Sequence, residues 1–409
     1  MRLITVILFF VVFELYAFQA IRTVTQNKWL LFSYGLVVIV ILGTFFFYSQ
    51  NFDDDGFSHQ MSYALGLFLA LIVFQILVIL FLFFEDIIRI PKAIFDFFNG
   101  SDKSKDSSFL PKRRKFISQI ALALAAVPFS SLLYGMFQGK YNYKVLKYSL
   151  EYDDLPEAFD GFTITHISDI HAGSFDNPKK VQYGIDLIKE QQSDVVLFTG
   201  DMVNNKAEEV VDWIDTFAEI KAPYGKFSVL GNHDYGDYVK WENAEKKEGN
   251  LKALINAQRA MGFQVLLNEA HYLEKDGQKI ALLGVENWGK GFKQKGDLNK
   301  SLNAVKKNDF KILLSHDPSH WEAEILPHNN PIHLTLSGHT HGMQFGIEIP
   351  GWFRWSPVKW RYKQWAGIYE RDQQRLNVNR GFGYLAYPGR VGIWPEVSLI
   401  TLKRRKTVV

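Results

Sequence analysis

The sequence predicts an α/β sandwich domain preceded by an N-terminal transmembrane helical region, and three observations carry that expectation. Short β-branched or aromatic runs, FTITHIS, VVLFTG, KFSVLG, KILLS and IHLTLSG, recur along the chain and each closes in Gly or Ser, as buried strands do. Helical patterning alternates with them: Asn177-Pro178 reads as a cap followed by a first helical residue, and Val181, Ile185 and Ile188 then repeat on one face. The 34 Phe and 15% aromatic content are high for a cytosolic enzyme, and the excess sits at the N-terminus.

Taken in order, Leu3–Ala20, Trp29–Tyr48, Tyr63–Phe84 and Phe116–Phe137 are each almost free of charge and near the roughly 20 residues that cross a bilayer. The string RRKFISQIALALAAVPF resembles a twin-arginine export signal. With three spans before it, we read it as a retained fourth helix, with a cleaved or interfacial helix as the alternative. Arg89, Lys92, Lys103, Lys105, Lys112, Arg113, Arg114 and Lys115 load the loop 85–115 with positive charge, and Arg22 and Lys28 do so for the first loop. Both are expected to be cytoplasmic, with Asp53, Asp54 and Asp55 outside. The chain is thus expected to be an integral protein of a bacterial-type inner or plasma membrane, extracytoplasmic from about Gly139. Expected boundaries are 1–138 for the helical region, 139–153 for a linker and 154–409 for the α/β domain. The absence of cysteine fits either compartment, and Glu14 inside the first span is open to a functional or a structural reading. Further along, Asp212–Ile220 and Leu251–Met261 read as short helices, and Asp276-Gly277 between HYLEK and KIALLGV as a hairpin turn.

The chemistry lies in five polar clusters that follow the strands: SDIH (Ser168–His171), GDMVNN (Gly200–Asn205), GNHD (Gly231–Asp234), SHD (Ser315–Asp317) and GHTH (Gly338–His341). They offer Asp169, His171, Asp201, Asn232, His316, His339 and His341, a set of carboxylate, imidazole and amide without sulfur that suits Mn, Fe, Zn or Ni. In Asp169-x-His171 and His339-x-His341, residues two apart on an extended strand end would share a face. Taken singly, GNHD or GDMV is an ordinary turn; five such clusters in one order are a site.

These clusters, in this order from about Phe162 to His341, resemble the calcineurin-like metallophosphoesterases. HTHGMQ, VNRGFG (Val378–Gly383) and RVGIWPEVSLITL (Arg390–Leu402) are similar to its membrane-associated branch, in which an anchored catalytic domain acts near lipids. The resemblance implies a four-layer αββα sandwich with two facing mixed sheets. It also implies two divalent ions, one held by Asp169, His171, Asp201 and His341, the other by Asp201, Asn232, His316 and His339. Asp201 would bridge ions roughly 3.5–4 Å apart that share an attacking hydroxide, and His233 would be the general acid. The chain departs from the family pattern at Asn204, where relatives carry the second Asp of G-D-x-x-D. An amide oxygen can accept a ring N–H but lacks the charge that favours imidazolium.

Other features bear on partners. Trp352, Phe353, Trp355, Trp360, Tyr362 and Trp365 interleave with Arg354, Lys359, Arg361 and Lys363; this mixture suits a headgroup layer or stacked bases, and equally a packed cap over the site. A net charge of +3 is too small to imply nucleic acid, and the tail Lys403–Lys406 reads as a solvated end or a contact with anionic lipid. His59, His166, His271, His320, His328 and His333 lie outside the clusters and read as structural. Asp234 and Asp317 are open to turn capping or to orienting their histidine neighbours. The expected activity is hydrolysis of a phosphoester or pyrophosphate, on an amphipathic or lipid-linked substrate. Phosphodiester cleavage of soluble nucleotides, or a non-catalytic sensor of a phosphorylated ligand, are the alternatives.

Overall fold

In the computed structural model of the protein, residues 2–50, 56, 58–98, 109–349 and 352–405 are described. The acidic stretch Asp53–Asp55, the loop lysines Lys103 and Lys105, and Lys406 of the basic tail lie outside them. The chain divides into two units, residues 1–52 with 60–136, and 53–59 with 137–409.

Among the described residues, the first unit holds the helices α1 (Arg2–Val24), α2 (Lys28–Gln50), α3 (His59–Phe98) and α4 (Phe109–Phe137). Among the described residues, Lys28–Gln50, His59–Ile87 and Arg113–Phe137 are long and apolar enough to cross a membrane. Small residues let the helices approach: Ala20 and Ala125 pack with Val78 and Leu82, while Leu71 meets Val38 and Ile41. Glu14 is satisfied within the unit, its carboxylate accepting from the Gln75 amide. Arg114, counted above as a loop charge, is buried and paired with Glu85 and Asp86 of α3. It therefore adds little to the charge that a loop presents to water.

The second unit contains, in chain order, β1 (Lys144–Tyr152), β2 (Thr163–Ile167), α5 (Pro178–Glu190), β3 (Val195–Phe198), α6 (Ile214–Ala218), β4 (Lys226–Ser228), α7 (Ala244–Ala260), β5 (Phe263–Val265), β6 (Glu269–Lys275) and β7 (Gln278–Gly284). These are followed by α8 (Leu298–Leu302), β8 (Lys311–Leu314), β9 (Leu334–Ser337), β10 (Ile347–Ile349), β11 (Phe353–Trp355), β12 (Gly367–Arg371), β13 (Gln374–Val378) and β14 (Glu396–Arg404). One sheet has the order β1-β14-β2-β3-β4-β5 and the other β12-β13-β9-β8-β7-β6, with β10-β11 as a separate hairpin. Both large sheets are mixed: β2 to β5 and β7 to β9 run parallel, while β14 runs antiparallel to β2 and β6 to β7.

The inner faces meet through Ile164, Leu197 and Phe227 on one side and Ile280, Leu282 and Ile312 on the other. Val181 and Ile185 of α5 and Leu254 of α7 cover the outside of the first sheet; Leu298 and Leu302 of α8 cover the second. The result is the expected sandwich of helix, sheet, sheet and helix.

Several local expectations meet their physical cause. Asn177 caps α5 by accepting the Lys180 N–H at 3.2 Å. Asp276 and Gly277 both take positive φ in the β6–β7 turn. Three expectations need correction. Residues 139–153 are not a linker: they hold a helical turn and β1, which pairs in parallel with β14 from Lys144↔Glu396 to Tyr152↔Arg404. The partner lies far downstream, so nothing local announces the strand. The expected helix from Leu251 starts earlier, at Ala244, because Asn243 accepts the Lys246 N–H at 2.9 Å and its first two turns are polar. The segment expected as a helix at Asp212–Ile220 is a tighter helical turn, Ala207–Trp213, running into α6.

Candidate functional site

The parallel strands β2, β3 and β4 of one sheet and β8 and β9 of the other deliver all the proposed site residues in the loops after their carboxyl ends. Asp169 and His171 follow β2, Asp201 follows β3, Asn232 and His233 follow β4, His316 follows β8, and His339 and His341 follow β9. Five of these residues have left-handed backbone: Asp169 (φ 52°), His171 (48°), Asp201 (60°), His339 (70°) and His341 (49°). That corrects the picture of pairs on extended strand ends. The chain turns sharply at each of these five positions, and such conformations, which cost about 1–3 kcal/mol each, gather at functional sites. Two glycines let the loops touch. A Cβ on Gly338 would lie 1.8 Å from Ser168 Oγ, and one on Gly200, at φ 95°, would lie 2.3 Å from the Gly231 nitrogen.

The side chains form two adjoining donor groups. Asp169, His171 and His341 offer ligand atoms within 4.8 Å of one another, and so do Asp201, His316 and His339. Asp201 stands between the groups: its Oδ2 is 3.1 Å from His316 Nε2 and 3.7 Å from His171 Nε2, while Oδ1 accepts the His233 N–H at 2.8 Å. His171 Nε2 and His341 Nε2 are 3.0 Å apart, and the latter is 3.3 Å from Asp169 Oδ1. Asn232 Oδ1 lies 2.8 Å from His339 Nδ1, and its amide donates to the Tyr238 hydroxyl at 2.8 Å.

Burial and charge make this an environment for cations. Burial holds His171, His339 and His341 below the usual imidazole range, so they are neutral and keep a lone pair to offer. His316 is the exception: burial would lower it, but the carboxylates of Asp201 and Asp169 outweigh that and raise it to about 10. Burial pushes Asp201 up, yet the surrounding imidazoles, His316 foremost, more than reverse this and hold it well below the usual carboxylate range. Burial and the Asp201 charge raise Asp234, whereas for Asp169 burial raises more than His316 lowers. Buried carboxyl groups packed against buried, mostly neutral imidazoles, a donor set of oxygen and nitrogen without sulfur, fit divalent cations well.

His233 lies edge-on to His171, with ring centroids 5.0 Å apart. Its Nδ1 is 2.7 Å from the main-chain carbonyl of Asn204. The Asn204 side chain instead exchanges hydrogen bonds with Ser174 Oγ at 3.0–3.2 Å. The amide expected to face the ring therefore points elsewhere, because Glu209 accepts the N–H groups of Asn204, Asn205 and Lys206 and sets the loop so that a carbonyl is presented.

Asp234 proves to be a clamp, accepting from the N–H groups of Asp201, Met202 and Gly231 and so tying two of the ligand loops together. Asp317 Oδ2 lies 3.5 Å from His339 Nε2. Three contributors carried no motif. Glu209 is one. Tyr362, from the aromatic and basic segment, places its hydroxyl 2.8 Å from His339 Nε2. Fully buried Arg390 donates to the carbonyls of Gly383 and Arg380 and reaches His341 Nδ1 at 3.1 Å. Only the density of aromatic residues around Tyr362 and the string around Arg390 hinted at them. Of the remaining histidines, His166 is buried between Thr199 and Asn377, at 3.0 and 2.9 Å, and is structural.

Residues 162–343 match the family model "Calcineurin-like phosphoesterase", and residues 1–140 match "Probable Calcineurin-like phosphoesterase, transmembrane domain". The uncharacterized metallophosphoesterase YkuE of Bacillus subtilis is 29% identical over 71% of this chain and 97% of its own length. A transmembrane protein with metallophosphoesterase domain from Danio rerio is 26% identical over 82% of this chain and 73% of its own. Among solved structures, the sulfate thiohydrolase SoxB of Termus thermophilus aligns at 12% identity and a TM-score of 0.34, over 55% of this chain and 52% of its own.

Fold and site together define a metal-dependent phosphoesterase. The chain belongs to the calcineurin-like metallophosphoesterase family, in the membrane-associated branch with N-terminal transmembrane helices.

Proposed function

We propose that the chain hydrolyses a phosphoester or pyrophosphate in an amphipathic or lipid-linked substrate, at a centre for two divalent ions drawn from Mn, Fe, Zn or Ni. We further propose that the domain faces the extracytoplasmic side of a bacterial-type inner or plasma membrane. The observation that carries the two-ion reading is the position of Asp201 Oδ2 between His316 and His171, one from each donor group. Asp169, His171, Asp201 and His341 would hold one ion, and Asp201, Asn232, His316 and His339 the other. Bound there, the ions would supply Lewis acidity toward phosphoryl oxygens and a water of lowered pKa.

The chain's own residues do the rest. The Asn204 carbonyl accepts the Nδ1 proton of His233 and fixes the ring, which leaves Nε2 as the atom that delivers a proton to the leaving oxygen. The His233 N–H holds Asp201 Oδ1 and so keeps Oδ2 turned toward both donor groups. Asn204 acts through its backbone, and Asp234 keeps the two loops in register. The lipid-linked reading draws support from the helices in the same chain that are long and apolar enough to cross a membrane, which would tether the catalytic domain to a bilayer. The basic residues of the first loop and of the segment 85–115, Arg114 excepted, support the orientation.

A panel of matched phosphoesters and pyrophosphates tests the substrate class, each offered free in solution and embedded in vesicles, with the full chain reconstituted. The embedded amphipathic members are expected to be turned over faster than their soluble counterparts. Preference for soluble nucleotides would contradict the reading.

A further inference from the structure

The hairpin β10–β11 is built inside out. Pairing is Ile347↔Trp355, Glu348↔Arg354 and Ile349↔Phe353, so strand alternation puts the charged pair on one face and the apolar residues on the other. The charged pair makes the hairpin's polar contacts with the rest of the protein, although Arg354 is itself exposed. Glu348 pairs with buried Arg380, its Oε2 accepting from Nε at 3.1 Å, and Arg354 donates to the Ala366 carbonyl and lies over the Tyr369 ring at 5.0 Å. The apolar face is left open: Ile347, Ile349 and Phe353 expose 55%, 44% and 47% of their surface.

The segment that follows repeats the pattern. Val358, Tyr362 and Trp365 anchor it in a small core with Ile393, while Trp360 points out and is 77% exposed; Trp352, in the hairpin, is 81% exposed. Lys359, Arg361 and Lys363 stand exposed among these aromatics. Soluble surfaces rarely gather so many large apolar side chains in one patch. Tryptophan beside Lys and Arg is the composition of a membrane interface, where the ring settles among headgroups and the cation meets lipid phosphate.

We propose that the outer face of β10–β11, with Trp352 and Trp360, is a surface that docks on an anionic lipid bilayer. Two observations single out this occupant: the helices of the same chain are apolar enough to cross a membrane, and Lys359, Arg361 and Lys363, exposed among the aromatics, are complementary to lipid phosphate, with Glu322 at 4.0 Å from Lys363 the acidic exception. Docking reaches the donor groups through one residue, because the segment that carries Trp360 also carries Tyr362, hydrogen-bonded to His339. The bilayer would thus steady the loop that orients a proposed ligand. This goes beyond the phosphoesterase reading and does not depend on which substrate is cleaved.

The chain has no cysteine, so a single introduced one is a unique site for a nitroxide label. Trp352→Cys and Trp360→Cys would be labelled in the full chain, reconstituted in vesicles of phosphatidylcholine with phosphatidylglycerol, with Lys246→Cys on α7 as the aqueous reference. Labels at 352 and 360 are expected to be accessible to oxygen and shielded from a water-soluble nickel chelate, with the opposite pattern at 246. Shielding should weaken in vesicles of phosphatidylcholine alone; equal shielding in both lipids would overturn the role given to the basic residues. Free access of nickel to 352 and 360 would overturn the docking surface itself. So would shielding from both reagents with spin–spin broadening, which would mean that a second copy covers the patch. Label accessibility is read without turnover, so its failure and a failure of the proposed activity are told apart.

Discussion

At the scale of single residues, Asn204 shows how a substitution is read differently once the backbone is visible. From the sequence, an amide replacing a carboxylate beside His233 weakens the acid; in the structure the side chain bonds Ser174 and the main-chain carbonyl holds the ring. Asn204→Asp is therefore expected to leave the alkaline limb of the pH–rate profile in place, whereas His233→Ala should remove it and slow substrates with poor leaving groups most. An upward shift in Asn204→Asp would mean that a carboxylate at 204 reaches the imidazole. His316 supplies a second expectation. Its raised pKa keeps it protonated at neutral pH in the metal-free protein, and a coordinating imidazole must be neutral, so metal uptake should release about one proton. Affinity should accordingly rise with pH toward the raised pKa. Calorimetric titration of Mn2+ into stripped protein, in buffers of different ionisation enthalpy, would read this; identical heats would refute it.

At the scale of elements, the strands and the polar clusters that follow them were legible because each is local: a β-branched run, then a polar cluster. The hairpin at Asp276-Gly277 and the cap at Asn177 were legible for the same reason. What was hidden depends on distant partners. β1 is a strand only because β14 lies beside it, and the inside-out hairpin is recognisable only once Arg380 is seen to hold Glu348. The left-handed turns at Asp169, His171, Asp201, His339 and His341 were hidden because no propensity favours histidine or aspartate there strongly enough to predict it. Close loop contact predicts a sensitive site: Gly338→Ala brings a methyl against Ser168 and Asp169. Overpacking of this kind costs about 1–3 kcal/mol. Tm should fall and metal content with it, since β9 delivers two of the proposed ligands; unchanged Tm and metal content would show that the loops can part.

For the whole molecule, an α/β catalytic unit shares its chain with apolar helices, and named buried charges in each unit find partners within that unit. Arg114 is neutralised by Glu85 and Asp86 in the helical unit, and Asp234 and Arg390 are satisfied in the catalytic one. The account of the catalytic unit rests on one carboxylate shared by two donor groups. Its most direct test is the metal content of the purified full chain and of Asp201→Ala, with phosphoester turnover measured on the same samples. The wild type should carry two ions and hydrolyse, while Asp201→Ala should lose metal and activity together yet keep the circular dichroism of its α/β domain. Turnover near the wild-type rate in Asp201→Ala, with its metal retained, would contradict the account.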